Sequence, residues 1–313
     1  MSEPHDPASV VEPLTPAERV ALASLPAGGM FVLFLLGQLL LGPILQLANV
    51  GFGLIFAGVF ALAVPPILYL RASNLSPWDF LRLHPPRLGQ LGLGFAIGAA
   101  NFLVAGVLQF GMRRLVPDEW ARRFDATHIF RDASGSDLAL IVVAVAVSAP
   151  VCEEIAFRGY LQNAFRGRRG DLAAVVLTAT LFSALHLDPI GFFARVELGV
   201  LFGLLALWSG SLLPAIAAHM ANNFIAASLF MLAVSREGGA AAEGGEPKVL
   251  VALGGAALSA LITLFLLSKF RASAEPERLQ APLLVAVEPE GDHLARLARI
   301  RRPLLGVAAS ALA

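Results

Sequence analysis

The chain has 313 residues, 57% of them hydrophobic and 15% charged, with 23 basic and 23 acidic side chains and a net charge of zero. Soluble domains carry about 25% charged residues, so composition excludes an ordinary soluble globule and points to an all-α, polytopic membrane helix bundle. The arginines are scattered between apolar runs and leave no footprint for nucleic acid, and the single cysteine, Cys152, excludes an internal disulfide.

Crossing about 30 Å of hydrocarbon takes about 20 apolar residues in a helix. Eight segments are expected to span: 29–48, 51–70, 88–111, 137–157, 171–187, 192–209, 212–233 and 249–268. Residues 1–28 read as a soluble leader without the basic region and cleavage site of a signal peptide. Asn49-Val50-Gly51 makes a tight hairpin between the first two segments. The connection after segment three contains Asp118 to Phe124, a short interfacial helix with Trp120 and Phe124 at i, i+4 on one face. Segment four is expected to continue to about Phe165 and stop at the Gly167-Arg168-Arg169-Gly170 turn. Gly238 to Gly245 reads as a loop and residues 269–313 as a tail, with a brief amphipathic helix over Leu294 to Ile300.

Basic residues near segment ends set orientation. Arg71, Arg82 and Arg87, then Arg166, Arg168 and Arg169, then Lys269 and Arg271 fall on one side of an eight-span bundle. This predicts a multi-pass protein of the cell membrane with both termini in the cytoplasm. The loop after segment three, with Arg113, Arg114, Arg122, Arg123 and Arg131, runs against the rule.

Segments four, five and seven carry the polar residues. In segment four Glu153, Glu154 and Arg158 appear where an apolar helix would continue, and each ionisable group at the bilayer centre costs about 2.5–3.5 kcal/mol on insertion scales. Glu154 and Arg158 are i, i+4 and can pair. Glu153, about 100° away on the helix, is left without that partner and is suited to act as a general base. Two of the six histidines, His186 and His219, lie inside apolar segments, and Asn223 is i, i+4 from His219. An unpaired carboxylate with two histidines is an acid–base set of the kind that activates water. An asparagine and a histidine can stabilise a tetrahedral oxyanion. Cys152 reads as a small buried residue rather than a nucleophile.

The ordered set Glu153-Glu154-x-x-x-Arg158, Phe182-x-x-x-His186 and His219-x-x-x-Asn223 resembles the three-part signature of the CPBP intramembrane proteases. That family includes the type II CAAX prenyl endopeptidases and bacterial abortive-infection proteins. The resemblance covers about 138–230, within a transmembrane domain at 29–268. It implies an endopeptidase acting on a membrane-associated peptide or protein in the bilayer. Glu153 would activate water with help from His186, His219 and Asn223 would bind the oxyanion, and Glu154 and Arg158 would hold the helix. Asn222 beside Asn223 leaves a one-residue ambiguity, which the i, i+4 spacing resolves toward Asn223. The family has been described both as zinc-dependent and as metal-independent. Glu153, His186 and His219 are the candidate zinc ligands, but no His-Glu-x-x-His motif is present, and the expectation leans to no cofactor. Two other functions fit intramembrane Glu and His: a non-enzymatic scaffold or immunity protein, and a proton-coupled transporter.

Overall fold

The computed structural model describes residues 25–124, 128–131, 133, 135–237 and 249–274. The proposed leader, apart from its last four residues, lies outside the described residues, as do the 238–245 loop, the Leu294–Ile300 helix and the tail beyond Ala274. The described residues form a helical bundle without strands, as composition requires. Its principal helices are α1 (Ala27–Gln46), α2 (Val50–Ala72), α3 (Leu88–Leu115), α4 (Gly135–Arg169), α5 (Asp171–Leu185), α6 (Phe192–Ser209), α7 (Leu213–Glu237) and α8 (Val249–Ala272). Leucines and phenylalanines such as Leu40, Phe52, Phe60, Leu261 and Leu264 remain exposed on the outer helices. In water such a surface would aggregate; in a bilayer it is the solvent-matched face.

Seven of these helices are long and apolar enough to cross a membrane, one fewer than the eight expected spans. The exception is α5. Its 15 residues reach only about 22 Å at 1.5 Å per residue, short of the roughly 30 Å of hydrocarbon. Hydropathy could not show this, because α5 is apolar throughout and differs from a spanning helix only in where it stops. It packs against α6 as a hairpin. Gly170, at φ 78°, and Gly210, at φ 61°, stand at the outer ends of the hairpin, and residues 186–191 form its tip. Helix α4 is longer than predicted: it runs unbroken through the expected 167–170 turn to Arg169, and only Gly170 breaks it.

The two ends of the described chain meet one face of the bundle. Arg168 donates to the Leu25 carbonyl and Gln90 to the Ser273 carbonyl, both at 2.9 Å. The segment between α2 and α3 closes this same face. Its carbonyls at Phe80, Arg82 and His84 accept from the Asn163 amide, the Leu212 N–H and the Ser211 hydroxyl. The short helix Asp118–Arg123 lies at the opposite end, with Trp120 and Phe124 side by side at 6.3 Å as their spacing predicts. At the α1–α2 turn, the Asn49 side chain caps α2 by accepting from the Phe52 N–H at 2.8 Å.

Helix α4 departs twice from regular α geometry, with π-helical turns at Ala144–Ser148 and Ile155–Gln162. Single π turns cluster at functional sites. Ala149 bonds back to the Ala144 carbonyl; the next bond in that register would join residue 150 to residue 145. Pro150 has no N–H to give, so the Val145 carbonyl is released from the helix.

Helices α3 and α7 approach closely through Gly94 and Gly98, which lie against the backbone of Pro214 and Ala218. A Cβ on Gly94 would sit 2.5 Å from the Pro214 carbonyl oxygen, and one on Gly98 would press on that of Ala218. The contact is backbone to backbone and has no flexible atom to yield. Gly98→Val is therefore expected to force α3 and α7 apart at a cost of at least about 1–3 kcal/mol. Thermal unfolding in detergent should show a lower midpoint than Gly106→Val, whose Cβ would meet nothing within 4 Å.

Candidate active site

The site begins with a charge that cannot reach water. The side chains of Glu154 and Arg158 are both completely buried, and Arg158 Nη1 donates to Glu154 Oε1 at 2.8 Å, forming the expected i, i+4 pair. Arg158 Nη2 also donates to the Gly199 carbonyl at 3.1 Å. Its guanidinium lies 4.5 Å from the ring centre of Phe182 and 5.5 Å from that of Phe202, which adds cation–π attraction in a dry setting. Gly199 permits this approach, since a Cβ there would meet Arg158 Nη2 at 3.2 Å and the Ala179 Cβ at 2.7 Å.

Glu154 has a second partner that helix phasing could not supply. His219 Nδ1 lies 2.9 Å from the same Oε1 atom. A carboxylate only accepts, so Nδ1 is the donor, and the opposite edge of the ring, Nε2, is turned to Glu153 at 3.7 Å. The Phe202 ring stacks on the imidazole at 4.7 Å and Phe182 meets it edge-on at 5.8 Å.

His186 is held in a parallel way. It follows the last residue of α5, and its Nδ1 donates to the Phe182 carbonyl at 2.9 Å. Its Nε2 then faces the other oxygen of Glu153, at 3.9 Å. The chain turns just beyond it through Leu187 in the left-handed region, at φ 52°, a conformation that costs a non-glycine residue about 1–3 kcal/mol. Thus two histidines from different helices present Nε2 to the two oxygens of one carboxylate. Distances of 3.7 and 3.9 Å exceed a direct hydrogen bond, and separations of this size are where a shared water belongs.

Asn223 faces the same space. Its amide nitrogen donates at 2.9 Å to the Val145 carbonyl, the one that Pro150 leaves free, and its oxygen accepts from Asn222 at 3.3 Å. Asn222 fixes which way the amide points, and one N–H of Asn223 remains uncommitted. Glu153, His186, His219, Asn222 and Asn223 all line a cavity of about 610 Å³. Glu154 and Arg158 are not on its wall; they lie behind it. Cys152 is buried on another side of α4, packed against Gly58.

The cavity extends along the halves of α3 and α7 that lead away from the face where the chain ends meet. A second cavity of about 490 Å³ shares Gln109, Val145, Arg195, Ala226 and Phe230 with the first, and reaches Arg113, Ala121 and Phe124 beside the short helix. The short α5–α6 hairpin makes room for it, because its tip stops at the level of Glu153. Sequence reasoning missed Phe202, Gln109, Asp188 and Arg195. The signal for Arg195 was present: with Glu197, it is one of two charged residues inside an expected span.

The donor types for zinc are present, two imidazoles and a carboxylate with hydrogen bonds fixing the far side of each ring. As placed, however, no three His, Cys, Asp or Glu side chains among the described residues stand close enough to share one metal ion.

Residues 135–225 match the family model for Rce1-like, type II CAAX prenyl endopeptidase proteins. The matched stretch holds every residue of the cluster just described. Over this stretch the chain is similar to the type II CAAX prenyl endopeptidases, in line with the resemblance that the three motifs carry. The chain is also 30% identical over 143 residues to an uncharacterised 24.3 kDa protein of Escherichia coli, a match covering 43% of this chain and 64% of that protein. No solved structure matches the chain significantly.

Removing one partner of a buried ion pair leaves the other charge uncompensated, at a cost of about 3–5 kcal/mol. Arg158→Gln is expected to lower the thermal midpoint sharply, and adding Glu154→Gln to it should recover part of the loss. Differential scanning fluorimetry of the three proteins provides the comparison; a double variant less stable than Arg158→Gln would contradict the pairing.

Proposed function

We propose that this protein is an intramembrane endopeptidase that hydrolyses a peptide bond of a membrane-associated peptide or protein. The observation that carries the reading is the convergence of the His186 and His219 Nε2 atoms on the Glu153 carboxylate at the wall of a large cavity. A scaffold needs no such triad, and a transporter would need a second opening on the far face, where the segment between α2 and α3 covers the bundle.

In this reading a water bound between Glu153 and His186 gives a proton to the Glu153 carboxylate as its oxygen attacks the scissile carbonyl carbon. The substrate is a trigonal amide and becomes a tetrahedral oxyanion. The free N–H of Asn223 is placed to donate to that oxygen, and His219 donates from Nε2 when protonated. Because Glu154 holds Nδ1–H, only Nε2 of His219 changes its proton. The carbon–nitrogen bond then breaks, and Glu153, now a carboxylic acid, returns the proton to the leaving amine. Arg158 and Glu154 are positioning residues. We assign the metal-independent form of this chemistry, since the residues that move protons are complete in themselves.

The substrate class goes no further than a membrane-associated peptide; no feature of the site demands a prenyl group. For orientation we retain the face with Arg71, Arg82, Arg166, Arg168 and Lys269 as cytoplasmic. With both ends of the described residues on that side, the cavity opens toward the opposite face of the membrane.

Glu153→Gln is nearly isosteric and is expected to lower the cleavage rate of membrane peptides by about 10²- to 10⁴-fold, the usual contribution of a positioned general base. Its thermal midpoint should stay within a few degrees of the wild type. Elemental analysis of active protein should find no stoichiometric zinc, and chelators should leave the rate unchanged. Equal cleavage by wild type and Glu153→Gln would remove the base from the mechanism, and zinc at one per chain would overturn the metal-free assignment.

A further inference from the structure

Arg195 stands on the first turn of α6, where the two cavities join, and lines both. It shares with Glu197 a helix long and apolar enough to span, where ionisable groups are expensive; Glu197 is held by Asn101, away from Arg195's partner Asp188. Asp188, on the hairpin tip, faces it: Arg195 Nη2 donates to Asp188 Oδ2 at 2.8 Å and to the Asp188 carbonyl at 2.7 Å. Taken alone, this pair would be a staple for the loop that follows His186.

Three features go beyond a staple. The Asp188 carboxylate already closes the loop, accepting from the N–H groups of Ile190 at 2.9 Å and Gly191 at 3.2 Å. A guanidinium carries five N–H bonds, yet among the described residues only Nη2 of Arg195 has hydrogen-bond partners, and Nε is buried without one. The loop is also shaped around the planar head. Gly191 leaves the space in which it lies, since a Cβ there would come within 2.6 Å of Cζ. The side chain keeps 20% of its surface exposed.

We infer that Arg195 is a specificity residue that receives a carboxylate of the substrate in the passage joining the two cavities. With Nη2 committed to Asp188, Nη1 is the group left to give a carboxylate a charge-assisted hydrogen bond. A site built to hydrogen-bond one substrate group rejects the analogue lacking it far better than an apolar pocket distinguishes two apolar groups. The carboxylate is either the substrate's C-terminus or an Asp or Glu side chain; the chemistry at Arg195 is the same. The inference rests on reading the cavity as a peptide site, but it concerns binding and stands apart from hydrolysis.

The test uses full-length protein in lipid nanodiscs, carrying Glu153→Gln to prevent turnover. Three fluorescent forms of one apolar peptide are titrated: free C-terminal carboxylate, C-terminal carboxamide, and carboxamide with one internal glutamate. At least one anionic form should bind about tenfold tighter than the neutral carboxamide, a difference of about 1.4 kcal/mol. Which form it is identifies the source of the carboxylate. Adding Arg195→Gln should bring the ratio to about one, with carboxamide affinity changed less than about threefold; Arg195→Lys, which keeps the charge but not the planar head that Gly191 accommodates, should retain a smaller preference. Equal affinity for all three peptides with Arg195 intact overturns the inference without any variant at that position, as does a preference that survives Arg195→Gln. Hydrolysis by the Glu153-containing protein is read separately. Charge-dependent binding without hydrolysis would refute the endopeptidase reading and leave the carboxylate site standing.

Discussion

Glu154 places a negative charge where neither water nor lipid can solvate it, and the geometry around it follows from that constraint. One oxygen, Oε1, takes the Arg158 guanidinium and the His219 ring together. Arg158 is in turn anchored to the Gly199 carbonyl of α6. The hydrogen bonds that make the buried charge tolerable therefore draw α4, α6 and α7 to one point. They also set the one freedom that matters for chemistry: with Nδ1 of His219 committed to Glu154, its Nε2 must face Glu153.

A second constraint is delivery of water. The proposed hydrolysis in a bilayer would need a polar reactant that the surrounding lipid excludes, and the short α5–α6 hairpin leaves room for it. Because α5 ends after 15 residues, the space above its tip is left to a cavity instead of to helix. Both histidine–glutamate contacts lie at its wall. Pro150 contributes in the same direction. It frees the Val145 carbonyl from α4, and Asn223 is held by that carbonyl rather than by a side-chain partner. A helix-breaking residue and a helix that stops early are thus as much a part of the site as the groups that titrate.

Much of this was legible in the residues. Composition and apolar run lengths led to a polytopic helical bundle, and the i, i+4 spacing identified the Glu154–Arg158 pair. The ordered triplet of motifs led to the family that the core matches. Three things were not legible, for separable reasons. Segment five was read as a span because hydropathy measures solvent preference, and α5 is apolar yet too short to cross. The tie between Glu154 and His219 joins residues 65 positions apart, beyond any helical periodicity. The commitment of Asn223 to Val145 depended on a π turn ahead of Pro150, which spacing does not reveal. Arg195 differs from these: it was visible as a charge in an apolar helix, and only the shape of the cavity gave it a role.

The central claim, that Glu154 fixes His219 so that Nε2 faces Glu153, can be tested on the ring itself. Nitrogen-15 NMR of selectively labelled histidine, with His219 assigned through a His219→Gln sample, reads which nitrogen carries a proton. The account predicts a proton on Nδ1 in the resting protein, and loss of that pattern in Glu154→Gln. A resting ring protonated at Nε2 with bare Nδ1, or a spectrum that Glu154→Gln leaves unchanged, would contradict it.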